Sequence, residues 1–140
     1  MLVLALDTAT QAVTVAVSDE RRVRARLDVV DARRQGELLA AGIRQVLAEA
    51  RVAFGDLDAI VSGAGPGPYT GLRVGLVTAR VLGSALGVRA HGYCTLDLIA
   101  ADAVPGPPDP MYLRRPDARA PGAPKSVLGG TRAGSGAVAP

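Results

Sequence analysis

The order in which hydrophobic periodicities follow one another constrains the fold of this 140-residue chain more than any other feature. Residues 2–6 form a continuous apolar run that ends at Asp7, whereas residues 12–17 and 23–29 alternate in the manner of half-buried strands. Because short turns separate these three segments, we predict an antiparallel meander. Charged residues on the outward positions of the third segment favour the edge of a sheet for that strand.

From about residue 34 the pattern changes to helices that alternate with strands. Large apolar residues recur every three or four positions in two longer segments, as on the buried face of a helix. Thr70 is predicted to cap the second helix and Gly87 to end it. The predicted elements are, in order, a helix over about 34–51, a strand over 59–62, a helix over about 71–86, a strand over 88–93 and a helix from Thr95 to about 103.

This βββαβαβα order predicts an α/β fold with a mixed five-stranded sheet, because two β-α-β crossovers continue an antiparallel meander. The arrangement is ribonuclease H-like and is shared by the lobes of actin-like and sugar-kinase ATPases. A flavodoxin-like sheet is the alternative, and it requires the second or the third strand to be assigned wrongly.

Composition changes near residue 104. Residues 105–140 contain eight of the ten prolines and six of the 17 glycines, with few large apolar residues. Such a segment buries too little apolar surface to offset the entropy lost on ordering. We therefore expect a folded lobe over 1–104 and a mostly disordered basic tail over 105–140.

The net charge of +3 comes from that tail, since residues 1–104 hold eleven basic and eleven acidic residues. This balance does not support direct RNA binding by the folded part. One cysteine and one histidine exclude an internal disulfide and a two-histidine metal site. The sequence contains no apolar run long enough to span a membrane, and no basic residues precede the first apolar run, so we expect a cytoplasmic protein.

Two loops are candidates for phosphate binding, but neither has the full pattern. Actin-like ATPases bind phosphate at the turn after the first strand through Asp-x-Gly-Thr, and Ala9 occupies the glycine position here. Pro66 and Pro68 each remove an N–H donor from the loop before the second helix. We expect both loops to act chiefly as rigid turns, with no catalytic residue, no metal and no cofactor held by the chain itself. The weak nucleotide-binding candidates are Asp7, Thr8 and Thr10 in the turn, and Gly65, Gly67 and Thr70 in the loop.

The second helix carries glycine or alanine at every fourth position from 71 to 87. Residues four apart share one face, so some other backbone must approach this stripe closely. The lobe's own sheet is one candidate. A helix of a partner chain is the other, and the apolar character of most of the helix circumference favours it. The predicted partner interface consists of Leu39, Ile43, Gly71, Leu72, Gly75, Leu76, Ala79 and Gly83.

Four segments within residues 1–104 carry a family resemblance: Leu4-Ala5-Leu6-Asp7-Thr8-Ala9-Thr10, Gly36-Glu37-Leu38-Leu39, Asp56-Leu57-Asp58-Ala59-Ile60 and Gly63-Ala64-Gly65-Pro66-Gly67-Pro68-Tyr69-Thr70-Gly71-Leu72-Arg73. They are similar to the tRNA threonylcarbamoyladenosine biosynthesis protein TsaB family, and the last segment is the most specific. Gly36 departs from the family, which usually has a histidine there. Residues 110–117 resemble the C-terminus of the family, so we expect its second lobe to be deleted from this chain.

The resemblance implies an actin-like lobe that acts without catalysis of its own, as a subunit of a tRNA threonylcarbamoyladenosine transferase complex. Its partner would be the TsaD-type subunit that modifies adenosine 37 of tRNAs reading ANN codons, joined by a TsaE-type ATPase. In the family, the contact with the TsaD-type partner uses the first two helices. The resemblance further implies that tRNA would be contacted only indirectly and that ATP would bind only at the complex. A homodimer is a further expectation. The alternatives are an ATP-binding enzyme of the actin-like superfamily and a truncated, non-functional remnant.

Overall fold

The computed structural model describes residues 1–19 and 21–96, and it confirms the α/β fold with a mixed five-stranded sheet. A 3-10 turn at Phe54–Asp56 precedes the fourth strand. The predicted last helix beyond Leu96 and the tail lie outside the described residues. The elements are β1 (Val3–Asp7), β2 (Ala12–Ser18), β3 (Val23–Val30), α1 (Gln35–Ala50), β4 (Ala59–Gly63), α2 (Tyr69–Leu86) and β5 (Arg89–Tyr93).

The strands lie in the order β3-β2-β1-β4-β5, so β3 occupies an edge as predicted. β1 and β3 pair antiparallel with β2, and β4 pairs parallel with both β1 and β5. The residue Leu6 of the central strand lies opposite Val15 on one side and Ser62 on the other. This register brings the carboxyl ends of β1, β4 and β5 to one end of the sheet.

Both helices pack on the same face of the sheet, with α1 over β2 and β3 and α2 over β4 and β5. Alternate residues of the strands point into this layer, as the period of two requires. Leu4 and Ile60 are fully buried there. The fully or nearly fully buried side chains of β1, β2 and α1 in this core are Leu4, Leu6, Val13, Val15, Val17, Leu39, Ile43, Val46 and Leu47. None of the helices in the described residues is long and apolar enough to cross a membrane.

The predicted start of the second helix was wrong by two residues. Pro68 has extended dihedrals and its carbonyl accepts the first helical hydrogen bond, from Leu72 N at 3.0 Å. Proline fits such a helix start because its missing N–H would have had no partner within the helix. Thr70 lies inside α2, is exposed, and does not cap it. Gly87 ends the helix in the left-handed conformation (φ 68°), as predicted.

The small-residue stripe of α2 faces the lobe's own sheet, which corrects the prediction that a partner helix packs against it. A Cβ atom on Gly75 would lie 2.6 Å from Thr8 Oγ1, and one on Gly83 would lie 3.0 Å from Val88 O. Ala79 is fully buried between them. All eight residues of the predicted interface are buried inside the lobe: Leu39, Ile43, Gly71, Leu72, Gly75, Leu76, Ala79 and Gly83.

Candidate functional site

Asp7 stands at the carboxyl end of the central strand and joins three segments there. Its Oδ1 accepts a hydrogen bond from Ala9 N (2.6 Å), and its Oδ2 accepts one from Thr95 Oγ1 (2.9 Å). The carboxylate also occupies the space into which a side chain on Gly63 would project. Asp7 therefore holds together the β1–β2 turn, the end of β4 and the segment after β5.

The side chain of Thr8 points into the lobe and hydrogen-bonds the backbone of α2. The side chain is 1% exposed; its Oγ1 donates to Gly71 O (2.6 Å) and accepts from Gly75 N (3.0 Å). The missing side chains at both glycines allow this approach, because a Cβ on either one would clash with Thr8. Both hydrogen-bonding functions of the hydroxyl are thus used within the fold.

Gln35 was not predicted as a site residue, yet it secures the same turn. Its side chain is buried at the start of α1, and its Nε2 donates to Thr10 O at 2.8 Å. The oxygen of this side chain lies against Gly71. A glutamine one turn before the buried Leu39, on the same face of the helix, was the available signal in the sequence.

The glycine-proline loop packs directly on the β1–β2 turn. Gly67 lies against the Ala9 carbonyl so closely that no side chain could fit between them. Gly65 has a positive φ of 96°, which glycine adopts readily, and its carbonyl accepts from Thr95 N at 2.7 Å. Ala64 N donates to Tyr93 O at 2.7 Å. The two loops that were weighed as phosphate-binding candidates thus pack against each other in one closed junction.

Five of the six weak candidates come together in this junction: Asp7, Thr8, Thr10, Gly65 and Gly67. Thr70 remains outside, exposed on the first turn of α2. Within the described residues every buried side-chain nitrogen or oxygen has a hydrogen-bond partner, and no group of three metal-ligating side chains occurs. The hydrogen bonds of the Asp7 and Thr8 side chains join the turns and α2 of the protein itself.

A groove of about 410 Å³ lies next to the junction on the sheet face without helices. Its floor includes the small apolar side chains Ala5 and Ala16, and two polar residues at its rim, Thr14 and Arg26, are both bonded to Asp28. Thr14 Oγ1 donates to Asp28 Oδ1 (2.8 Å), and Arg26 forms an ion pair with the same carboxylate (2.5 Å). Hydrogen bonding to Arg26 lowers the pKa of Asp28. The groove is lined by Ala5, Leu6, Asp7, Thr10, Thr14, Ala16, Val23, Arg26, Val61 and Thr95.

The outward faces of the two helices form a second candidate surface. Val77 is 51% exposed and Val81 60% exposed on α2, four residues apart and therefore on one face. Ala40 and Ala41 are exposed on α1, where small side chains would allow a close approach. Exposed large apolar residues on one helix face are typical of a contact surface.

Three comparisons place the chain among known proteins. Residues 29–120 match the family described as "TsaD: tRNA N6-adenosine threonylcarbamoyltransferase". The chain is 43% identical over 104 residues to an uncharacterized protein of Mycobacterium tuberculosis, covering 73% of this chain and 49% of that protein. It is 30% identical over 103 residues to the tRNA threonylcarbamoyladenosine biosynthesis protein TsaB of Escherichia coli, covering 74% of this chain and 44% of that protein.

The fold has a similar solved counterpart in YeaZ from Pseudomonas aeruginosa. The two superpose with a TM-score of 0.67 at 35% identity, over 71% of this chain and 46% of that chain. This similarity supports the assignment of the actin-like, ribonuclease H-like fold made from the order of the elements. The chain spans slightly less than half the length of these relatives.

Proposed function

The chain belongs to the TsaD family of tRNA N6-adenosine threonylcarbamoyltransferases and is related within it to the TsaB proteins, and we propose that it takes part in threonylcarbamoyladenosine biosynthesis as a non-catalytic subunit. Its partner in this proposal is a TsaD-type transferase subunit. A TsaE-type ATPase joins the assembly, and tRNA is modified by the complex.

The closed junction is the observation that carries the non-catalytic part of the proposal. Asp7 and Thr8 each form two hydrogen bonds within the fold, at 2.6–3.0 Å. Gly67 packs on Ala9 where a phosphate cradle would need an open gap. Phosphate sites of this kind depend on backbone N–H groups that face an open space. The geometry therefore supports a role in positioning a partner rather than in transferring a group.

Calorimetric titration of the full chain with ATP and magnesium tests this role. We expect no binding at micromolar nucleotide and no ATP hydrolysis, because the close packing of Gly67 on Ala9 leaves no open cradle of backbone N–H groups for a phosphate. Tight, magnesium-dependent binding that is lost in Asp7→Asn would contradict the proposal and favour an ATP-binding enzyme.

We assign the partner contact to the outward faces of α1 and α2, since their inward faces form the core. Val77→Glu combined with Val81→Glu should weaken association with a TsaD-type subunit more than tenfold, because a charge buried without a partner in an apolar contact is costly. Stability should change little, as both valines are exposed. Co-purification and sedimentation of the mixed proteins measure the effect.

Val23→Glu combined with Val30→Glu is the matched control, because Val23 and Val30 are 57% and 77% exposed on β3, away from the outward faces of the helices. It should leave association unchanged. If both variants bind the transferase subunit as tightly as the parent chain, α2 does not form the contact. A complex of two copies of this chain, instead of one with the transferase subunit, would point to the homodimer.

A further inference from the structure

Charge on the lobe is balanced in total but unevenly distributed in space. Four arginines occur within the six residues 21–26, and no acidic residue interrupts them. Arg21 and Arg22 lie in the β2–β3 turn, and Arg24 and Arg26 lie on β3 itself. All four are exposed. Among the described strands β3 pairs with β2 alone, so these residues line an edge of the five-stranded sheet. We call them the arginine edge.

Neighbouring acidic groups neutralise the arginine edge only in part. Asp28 pairs with Arg26. Asp19 accepts hydrogen bonds from the backbone N–H groups of Arg21 (2.9 Å) and Arg22 (3.0 Å). No ion pair joins the guanidinium groups of Arg21, Arg22 or Arg24 to a described residue. Glu20 belongs to the same turn and lies outside the described residues.

The arginine edge also acts on its nearest carboxylate. The pKa of Asp19 is lowered, first by the N–H groups of Arg21 and Arg22 and to a smaller extent by the charges of Arg24 and Arg22. The charges of Arg22 in the turn and Arg24 on the strand therefore both act on the carboxylate of Asp19. A second carboxylate, Asp28, is already occupied by Arg26 and Thr14.

The position of the arginine edge leaves the helices accessible to a partner. Ala25 and Leu27 pack against the core beneath α1. Successive side chains of a strand point to opposite faces, so Arg24 and Arg26 lie on the face without helices. In keeping with this, Arg26 lines the groove floored by Ala5 and Ala16. A molecule bound at the arginine edge would not compete with a protein bound to the outward faces of α1 and α2.

We propose that the arginine edge contacts the phosphate backbone of the RNA substrate, an inference that rests on the proposed function. Guanidinium groups suit this role because they bind phosphate through two parallel N–H groups and remain charged at any physiological pH. Residues 19–30 contain no aromatic side chain on which a base could stack. The contact therefore positions the RNA without reading its sequence.

Protection of an edge strand against unwanted pairing is the competing explanation, because charges on edge strands commonly serve that purpose. The two roles differ in the sign of charge that they require. Glutamate at position 24 would still block edge pairing, whereas it would repel a phosphate. Arg24→Glu therefore separates them, and Arg89→Glu on the opposite edge strand, β5, provides the same change of charge as a control.

Fluorescence anisotropy of an unmodified tRNA transcript, titrated with the full chain between 50 and 200 mM NaCl, tests the proposal. One phosphate contact from each of Arg21, Arg22 and Arg24 predicts a fall in the binding constant of roughly 20–40-fold over this range. Arg24→Glu should reduce the slope of log K against log salt by about one and weaken binding at least threefold at 100 mM salt. Arg89→Glu should change the slope little.

Three results would overturn the proposal. If the β3 variant and Arg89→Glu on β5 lose tRNA affinity equally, binding depends on the overall charge. If neither variant loses tRNA affinity, binding is assigned to the basic tail. Loss of binding to phosphatidylglycerol vesicles with unchanged tRNA affinity would assign the arginine edge to a membrane surface. Co-purification of each variant with the transferase subunit is measured separately. Normal complex formation with unchanged tRNA affinity refutes this inference alone, whereas failure of the parent chain to form the complex refutes the proposed function.

Discussion

Replacing Gly75 with leucine should destabilise the lobe by about 1–3 kcal/mol and lower its melting temperature by roughly 4–24 °C. A side chain there would meet Thr8 Oγ1 at 2.6 Å and would displace the hydroxyl from Gly75 N. Overpacking of this kind costs about 1–3 kcal/mol, and the lost buried hydrogen bond costs about 1 kcal/mol more. The gain in helix propensity, under about 1 kcal/mol, does not offset these losses.

Urea unfolding followed by circular dichroism measures this effect. Ala85→Leu provides the control, since Ala85 is exposed on the same helix and the added side chain would meet solvent. It should leave the free energy of unfolding within about 0.5 kcal/mol of the parent value. If Gly75→Leu unfolds at the same urea concentration as the control, the stripe does not face the sheet and the packing described above is wrong.

The second large effect is expected at Gly63, which packs against the Asp7 carboxylate. Gly63→Ala would push the carboxylate away from Ala9 N and Thr95 Oγ1. Hydrogen bonds to a charged group contribute about 1.5–3 kcal/mol each, so we expect a loss of about 2–4 kcal/mol. Asp7→Ala removes the same two bonds and the obstacle together. The double variant should therefore be no less stable than the worse of the two single variants.

A double-mutant cycle gives the coupling between the two positions, which we expect to exceed about 1.5 kcal/mol. Gly36→Ala is the control because a Cβ at that position meets nothing within 4 Å. It should be neutral or stabilising by up to about 1 kcal/mol, since it replaces an exposed glycine within α1. Additive losses at Asp7 and Gly63 would mean that the two residues do not contact each other.

The predicted elements agree closely with those of the structure wherever the signal is local. A period of two marks β2 and β3 because alternate residues face the core, and the continuous apolar run of β1 reflects its central place in the sheet. Gly87 ends α2 as expected, because the left-handed conformation of a helix end favours glycine. The start of α2 was misplaced, since Thr70 and Pro68 both suit a helix N-terminus and only packing selects between them.

The functional positions depended more on tertiary structure. A four-residue repeat fixes that Gly71, Gly75 and Gly83 share a face, but not whether the neighbour is the same chain or another one. The answer came from Thr8, which is 63 residues from Gly71 in sequence and accommodates no side chain there. Likewise, the 88 residues between Asp7 and Thr95 hide their hydrogen bond from any local pattern.

The order of the elements and the family could be read from the sequence alone, because both depend on short-range patterns of hydrophobicity and on the contiguous segment 63–73. The tertiary structure was needed to show that the two glycine-containing segments close on each other, that the stripe of α2 is internal, and that Arg24 and Arg26 lie on the sheet face without helices. The physical reason is that packing and electrostatic fields depend on distances between residues far apart in the chain, which the register of the sheet sets.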